Sequence, residues 1–148
     1  TMNLLTMLED PVEAARRVLP WIGATHLKDG GIRTGDAGFV TFTADAGEGI
    51  VDFPAIFKEL SGLGREVTLT VEDHGGDFSI PIFTPGFLEK FPDLDVPELA
   101  ALIRLARRTE MRLEEGRLAV LDRSEWPAFC EDRIKRDLAA IRRMADPK

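Results

Sequence analysis

Trp21-Ile22-Gly23-Ala24-Thr25-His26-Leu27-Lys28-Asp29 is the stretch on which the fold turns. Its body is almost wholly apolar and does not alternate, as in a parallel strand covered on both faces. Its tip is ionisable. A second run, Val67-Thr68-Leu69-Thr70-Val71-Glu72-Asp73-His74, has the same form. Between them lie a loop and one helix, which opens at Asp52-Phe53-Pro54, offers Ile56, Phe57 and Leu60 to a core, and stops at Gly62 and Gly64. Strand, helix, strand, with each polar tip at a carboxyl end, gathers chemistry at one edge of a parallel sheet.

Working outward, Asp10-Pro11-Val12-Glu13 is a helix start, with Asp as the cap, Pro at the first position and Glu at the third. Residues 29–51 are rich in glycine and lack helical period, which predicts a long loop with one short extended piece at Phe39-Val40-Thr41-Phe42-Thr43. A second loop, broken by Pro81, Pro85 and Pro92, leads to Asp95-Val96-Pro97-Glu98. That capping signature opens a helix to about residue 115, with Leu99, Leu102, Ile103, Ala106 and Leu113 on one side. The last helix starts near Ser124-Glu125-Trp126-Pro127. Trp126, Cys130, Ile134, Leu138 and Ile141 recur along it, and Arg133, Arg136, Arg142 and Arg143 fall on the other, solvated faces.

This order predicts an α/β fold with a parallel sheet. Two strands leave both sheet edges open, and a closed eight-stranded α/β barrel takes about 250 residues. The expectation is therefore the C-terminal portion of a (β/α)8 barrel, about its last two to three βα units. Residues 1–110 carry those units and 111–148 form a helical extension. The opening Thr1-Met2 fits a shortened N-terminus. The chain is then a piece of a larger barrel, or a half that completes itself as a homo-oligomer.

The 148 residues are 44% apolar and 30% charged, with a net charge of −7. That acidity argues against nucleic acid as a partner, since binding its backbone needs a basic footprint. Cys130 is the only cysteine, so no internal disulfide forms, and it reads as a small buried helix residue. No apolar run reaches the ~20 residues of a membrane span, and no signal-peptide pattern opens the chain. No membrane partner and a cytoplasmic location are expected.

Three segments carry a resemblance: His26-Leu27-Lys28-Asp29, Gly47-Glu48-Gly49-Ile50-Val51-Asp52-Phe53, and Val71-Glu72-Asp73-His74-Gly75-Gly76. They resemble the C-terminal part of the sugar phosphate isomerase/epimerase family, the xylose isomerase-like barrels. The passage from Asn3-Leu4-Leu5 to Asp10-Pro11-Val12-Glu13-Ala14-Ala15 is similar to that family's sixth strand and helix. The resemblance covers roughly residues 3–110. It implies a divalent metal (Mn, Zn, Mg or Co) held by Glu, Asp, His and Glu. His26 matches the histidine and Glu72 the last glutamate; the other two ligands have no match in this chain.

The implied activity is metal-dependent isomerisation or epimerisation of a sugar or sugar phosphate, by proton transfer next to a carbonyl. Glu72 doubles as ligand and base in this reading. An ion there polarises a substrate oxygen and stabilises an enediolate, and the base needs reach to the C–H. Lys28, Arg33 and His74 are candidates for substrate contact. Asp29 and Glu48 are candidates for orienting the site. With two ligands only, the chain alone is expected to bind metal poorly and to be inactive. Two other readings stay open: a non-catalytic half-barrel interaction module, and a dehydratase built on the same scaffold. A superfamily endonuclease is disfavoured by the acidic charge and by the lack of a histidine near Gly47-Glu48-Gly49.

Overall fold

The computed structural model describes residues 1–146. Helices α1 (Asn3–Thr6) and α2 (Pro11–Val18) come first, and a short 3-10 turn (Leu19–Trp21) leads into β1 (Ala24–Leu27). Strands β2 (Asp29–Gly35) and β3 (Gly38–Ala44) follow, then α3 (Phe53–Ser61), β4 (Thr68–Val71) and β5 (Asp77–Ile80). Helices α4 (Val96–Glu114) and α5 (Trp126–Ala145) complete the order. The break expected between residues 110 and 111 falls inside α4.

Three helix starts behave as their local chemistry dictates. The Asp10 carboxylate accepts from the amides of Val12 and Glu13, and Asp52 accepts from Ala55. Asp95 and Glu98 form a reciprocal capping box. Each side chain satisfies amides that the first helical turn leaves without partners.

The sheets overturn the barrel expectation. The described residues form two small sheets, one of two strands (β1-β4) and one of three (β2-β3-β5). β1 and β4 pair in parallel, with His26 opposite Thr70 and Leu27 opposite Val71. The second sheet is antiparallel throughout. The segment expected to be a loop is a hairpin whose pairing runs from Asp29↔Ala44 to Gly35↔Gly38 around Asp36-Ala37. A two-residue connection of this kind ties antiparallel strands and has no place in a run of βα units. Nor is the β1-β4 pair covered on both faces: Ala24, His26, Thr68 and Thr70 are exposed.

The physical cause lies in β3. Phe39, Phe42, Thr41 and Thr43 are all buried, so β-branched and aromatic residues pack on both faces of the central strand. The glycines of β2 make room for this. A side chain at Gly31 would collide with the Phe42 ring and with Thr109 of α4. Helix α4 therefore lies close on β2, where Thr109 Oγ1 accepts from the Ile32 amide at 3.4 Å and Glu110 from the Thr34 amide at 2.9 Å. The main core joins Leu27, Ile32, Phe39, Phe53, Ile56, Ile80, Leu102, Leu105 and Ile141.

Helix α4 buries most of the face expected, with Leu99 and Leu113 packed at its edge, whereas α5 turns a different face inward. On α4 the buried residues are Leu102, Leu105, Ala106 and Thr109, while Ile103 is exposed. On α5 they are Arg133, Asp137 and Ile141, while Ile134 and Leu138 are exposed and Cys130 is half-buried. Arg133 is not solvated. Its side chain, 3% exposed, lies 3.0 Å from Asp45 and 3.1 Å from Asp73, whose side chain is 1% exposed. Asp137 accepts from the Ala46 amide at 2.7 Å, and Trp126 Nε1 donates to Asp73 at 3.1 Å. Among the described residues, no helix is long and apolar enough to cross a membrane.

Candidate functional site

Parallel pairing sets the carboxyl ends of β1 and β4 side by side, and the Glu72 amide extends the ladder by donating to Leu27 O at 2.9 Å. His26 and Glu72 thereby meet, with Nδ1 3.3 Å from Oε2. The second Glu72 oxygen lies 3.2 Å from Lys28 Nζ. Lys28 Nζ also lies 2.8 Å from His74 Nε2. His74 Nδ1 is 3.1 Å from Gly75 O. A neutral His74 carrying its proton on Nδ1 satisfies both contacts: it donates to Gly75 O and accepts from the ammonium. Thr43 Oγ1 donates to His74 O at 2.6 Å and anchors that residue's backbone to β3.

These neighbours set the charge on Glu72. Burial pushes its carboxyl upward, but the hydrogen bond and charge of Lys28, joined by His26, more than offset this and hold it below the usual carboxylate range. Lys28 is itself 4% exposed, so its ammonium is committed to this cluster. His26 is mostly open to solvent. A cavity of about 240 Å³ adjoins the cluster at His74 and is also lined by Thr41, Asp77 and Arg123. Three larger cavities, of about 430, 450 and 290 Å³, touch none of the four cluster residues.

Asp29 faces inward. Buried at 2% exposure, its carboxylate accepts from the amides of Gly30, Gly47, Gly49 and Val51 at 2.8, 2.8, 3.0 and 3.1 Å. A side chain at Gly49 would overlap the Asp29 carboxylate, so glycine there is a packing requirement. Asp29 thus fastens the Gly47-Glu48-Gly49 turn and contacts none of His26, Glu72 or His74. Glu48 is exposed and lines the 430 Å³ cavity, away from the cluster. Arg33 lies on β2, 4.0 Å from Asp77 of β5, and does not reach the cluster. Arg123 went unnoticed in the sequence. The signal for it is Gly75-Gly76, where a side chain on Gly75 would come within 2.6 Å of Trp126 Cβ and one on Gly76 within 3.1 Å of Arg123 Cβ.

Burial pushes the Asp29 carboxyl up to about 6, against the pull of its four amides. Burial also raises Asp137 to about 6; the Ala46 amide opposes it, nearby Asp73 and Asp45 add to it, and Arg133 counters them. Both groups then hold protons in the folded chain that the unfolded chain has already lost, so their contribution to stability is full below the ordinary aspartate range and falls as pH rises towards about 6. Urea unfolding is expected to give a stability lower by on the order of 1–2 kcal/mol at about pH 6.5 than at about pH 5. A stability that is flat or rising over that interval would contradict the assignment.

His26 Nδ1 and Glu72 are the two adjacent donors that a divalent ion would find. Among the described residues, however, no group of three or more His, Cys, Asp or Glu side chains converges on one point. Lys28 also places a positive charge 3.2 Å from the Glu72 carboxylate, where it opposes a second cation. The donor set does not fit a self-contained divalent centre. Comparison with family models, with curated proteins and with solved structures finds no match for the chain.

Proposed function

We propose that His26, Lys28, Glu72 and His74 form a proton-transfer site for a small hydroxylated carbonyl compound, a sugar or sugar phosphate, and that the reaction is isomerisation or epimerisation. The observation that carries this reading is the Glu72 carboxylate, held ionised between His26 Nδ1 and Lys28 Nζ at the ends of two parallel strands. In this reading the ionised Glu72 is the general base. It removes the proton from the carbon next to the carbonyl. Lys28 has three N–H donors; two point to Glu72 and His74, and the third is left for the substrate oxygen on which negative charge develops. Return of the proton from Glu72 to the former carbonyl carbon, together with passage of the hydroxyl proton from the adjacent oxygen to the enediolate oxygen, completes an isomerisation. Return to the original carbon from the opposite face, by another acid, completes an epimerisation. No step here runs through a metal.

The test is exchange of the C–H next to the carbonyl in D₂O, followed by proton NMR over aldoses, ketoses and their phosphates. The wild-type chain is expected to exchange at least one of them, and Glu72→Gln to slow that exchange by about 10²–10⁴-fold. No exchange across the panel, with or without added Mn²⁺, or full exchange by Glu72→Gln, sinks the reading.

A second reading, a non-catalytic interaction module, draws on the exposed side chains of β1 and β4. It is favoured if exchange is absent while the chain self-associates in native mass spectrometry.

A further inference from the structure

The 430 Å³ cavity lies between the end of β3, the Gly116–Leu121 segment and α5. Its volume is that of a small-ligand pocket, and its lining combines apolar and charged groups. Leu118, Val120 and Leu121 supply apolar lining, and on α5 Phe129, 51% exposed, lies one turn before Arg133. Arg117 adds donors from the extended segment, and Arg133 and Arg136 add them from the α5 face that carries Phe129.

These guanidiniums are only partly committed. Arg136 uses Nε on Asp45 at 2.7 Å, and Arg117 uses Nε and Nη2 on Glu115. Arg133 is the built-in element. It is buried, and although Asp45 and Asp73 lie within ion-pair reach, neither Nε nor Nη2 makes an aligned hydrogen bond. A buried donor without an in-line acceptor is costly unless something fills the direction it points. The extended segment adds to the imbalance: among the described residues, the amides of Leu118, Ala119 and Val120 donate to no group. One Asp45 oxygen accepts from Arg136 Nε, and the other lies 3.0 Å from Arg133 Nε without an aligned bond. Three guanidiniums outnumber the two carboxylates on the lining, Asp45 and Glu48, and an exposed aromatic ring shares it.

We infer that this cavity binds a small organic anion with a flat apolar body, of the arenecarboxylate type. The carboxylate meets the free N–H groups of Arg136 and Arg117 on the Arg133 side, and the ring covers Phe129 and Val120. A carboxylate suits such a lining because it offers several acceptor positions and charge-assisted, often bidentate, bonds to guanidinium. The site is separate from the His26–Glu72 cluster and does not depend on what that cluster does.

The experiment titrates the full chain with 1-naphthoate and, in parallel, with the uncharged 1-naphthylmethanol, followed by amide chemical shifts. The acid is expected to saturate at submillimolar concentration, to shift amides within 117–121 and 129–136, and to bind at least about tenfold more tightly than the alcohol. Arg136→Gln is expected to remove that preference and leave alcohol binding unchanged, and Arg117→Gln, on an exposed turn, to reduce it. Phe129→Ser is expected to weaken both probes. Equal binding of acid and alcohol, shifts clustered elsewhere, no saturation at millimolar acid, or an unaltered preference in both arginine variants would each overturn the inference.

Discussion

Replacing Asp29 by alanine is expected to lower the unfolding free energy by about 3–5 kcal/mol, among the largest single-residue effects in the chain. The carboxylate serves four amides at once, two of them in buried hydrogen bonds and two in partly buried ones. Alanine leaves the buried Gly30 and Val51 amides without an acceptor, each costing about 1–3 kcal/mol, and frees the partly buried amides of Gly47 and Gly49 as well. Asn at this position keeps the shape and one acceptor oxygen but turns the other into a donor aimed at amides. It is therefore expected to fall between wild type and alanine. The measurement is equilibrium urea unfolding of the three proteins at neutral pH. A loss below about 1 kcal/mol in Asp29→Ala would mean that the turn at residues 47–49 is held by something else.

Arg133→Ala is expected to cost about 3–5 kcal/mol for a different reason. Truncation abandons the Asp73 carboxylate, whose side chain is 1% exposed, as an uncompensated buried charge. It also frees Asp45 from one of its two arginines. The pair itself contributes little net stability, because burying both ions consumes most of their attraction. Arg133→Met combined with Asp73→Asn, which keeps an acceptor for Trp126 Nε1, is therefore expected to be markedly more stable than Arg133→Ala alone. Were the double variant as unstable as the single one, lost packing rather than stranded charge would be the cause.

These two residues also mark where sequence reading succeeds and where it stops. Helix starts at Asp10, Asp52 and Asp95 are legible because cap and amide lie within three residues of each other. The side-by-side ends of β1 and β4 follow from an apolar run, a helix and a second apolar run. The hairpin did not, because its glycines read as loop signals when considered alone. Their purpose appears only with Phe42 and Thr109 in place, residues separated from Gly31 by a whole strand or several elements. That hairpin is what removes the barrel reading: motifs at strand ends say nothing of how the chain travels between them.

The buried line of α5 was hidden for a related reason. Asp45 and Asp73, the partners of Arg133, sit far away in the chain, so local periodicity sent the arginine to solvent and Ile134 and Leu138 to the core. At the candidate site, His26 and Glu72 stood out by type and position. That Lys28 turns to Glu72 and His74, while Asp29 next to it turns to the 47–51 backbone, follows from how the chain crosses between sheets, and composition holds no trace of it.

That crossing has a mechanical sense. Residues 24–35 are one nearly unbroken extended run that belongs to the parallel sheet up to Leu27 and to the antiparallel sheet from Asp29. Lys28 is the single residue between the two. The chain passes through both sheets like one rod through two plates, with the ammonium of the candidate site mounted at the gap. Lys28 Nζ is thereby carried on backbone that both sheets hold, one residue from each. The distance between Lys28 and Glu72 is thus a gauge of how the two sheets sit on their common spine.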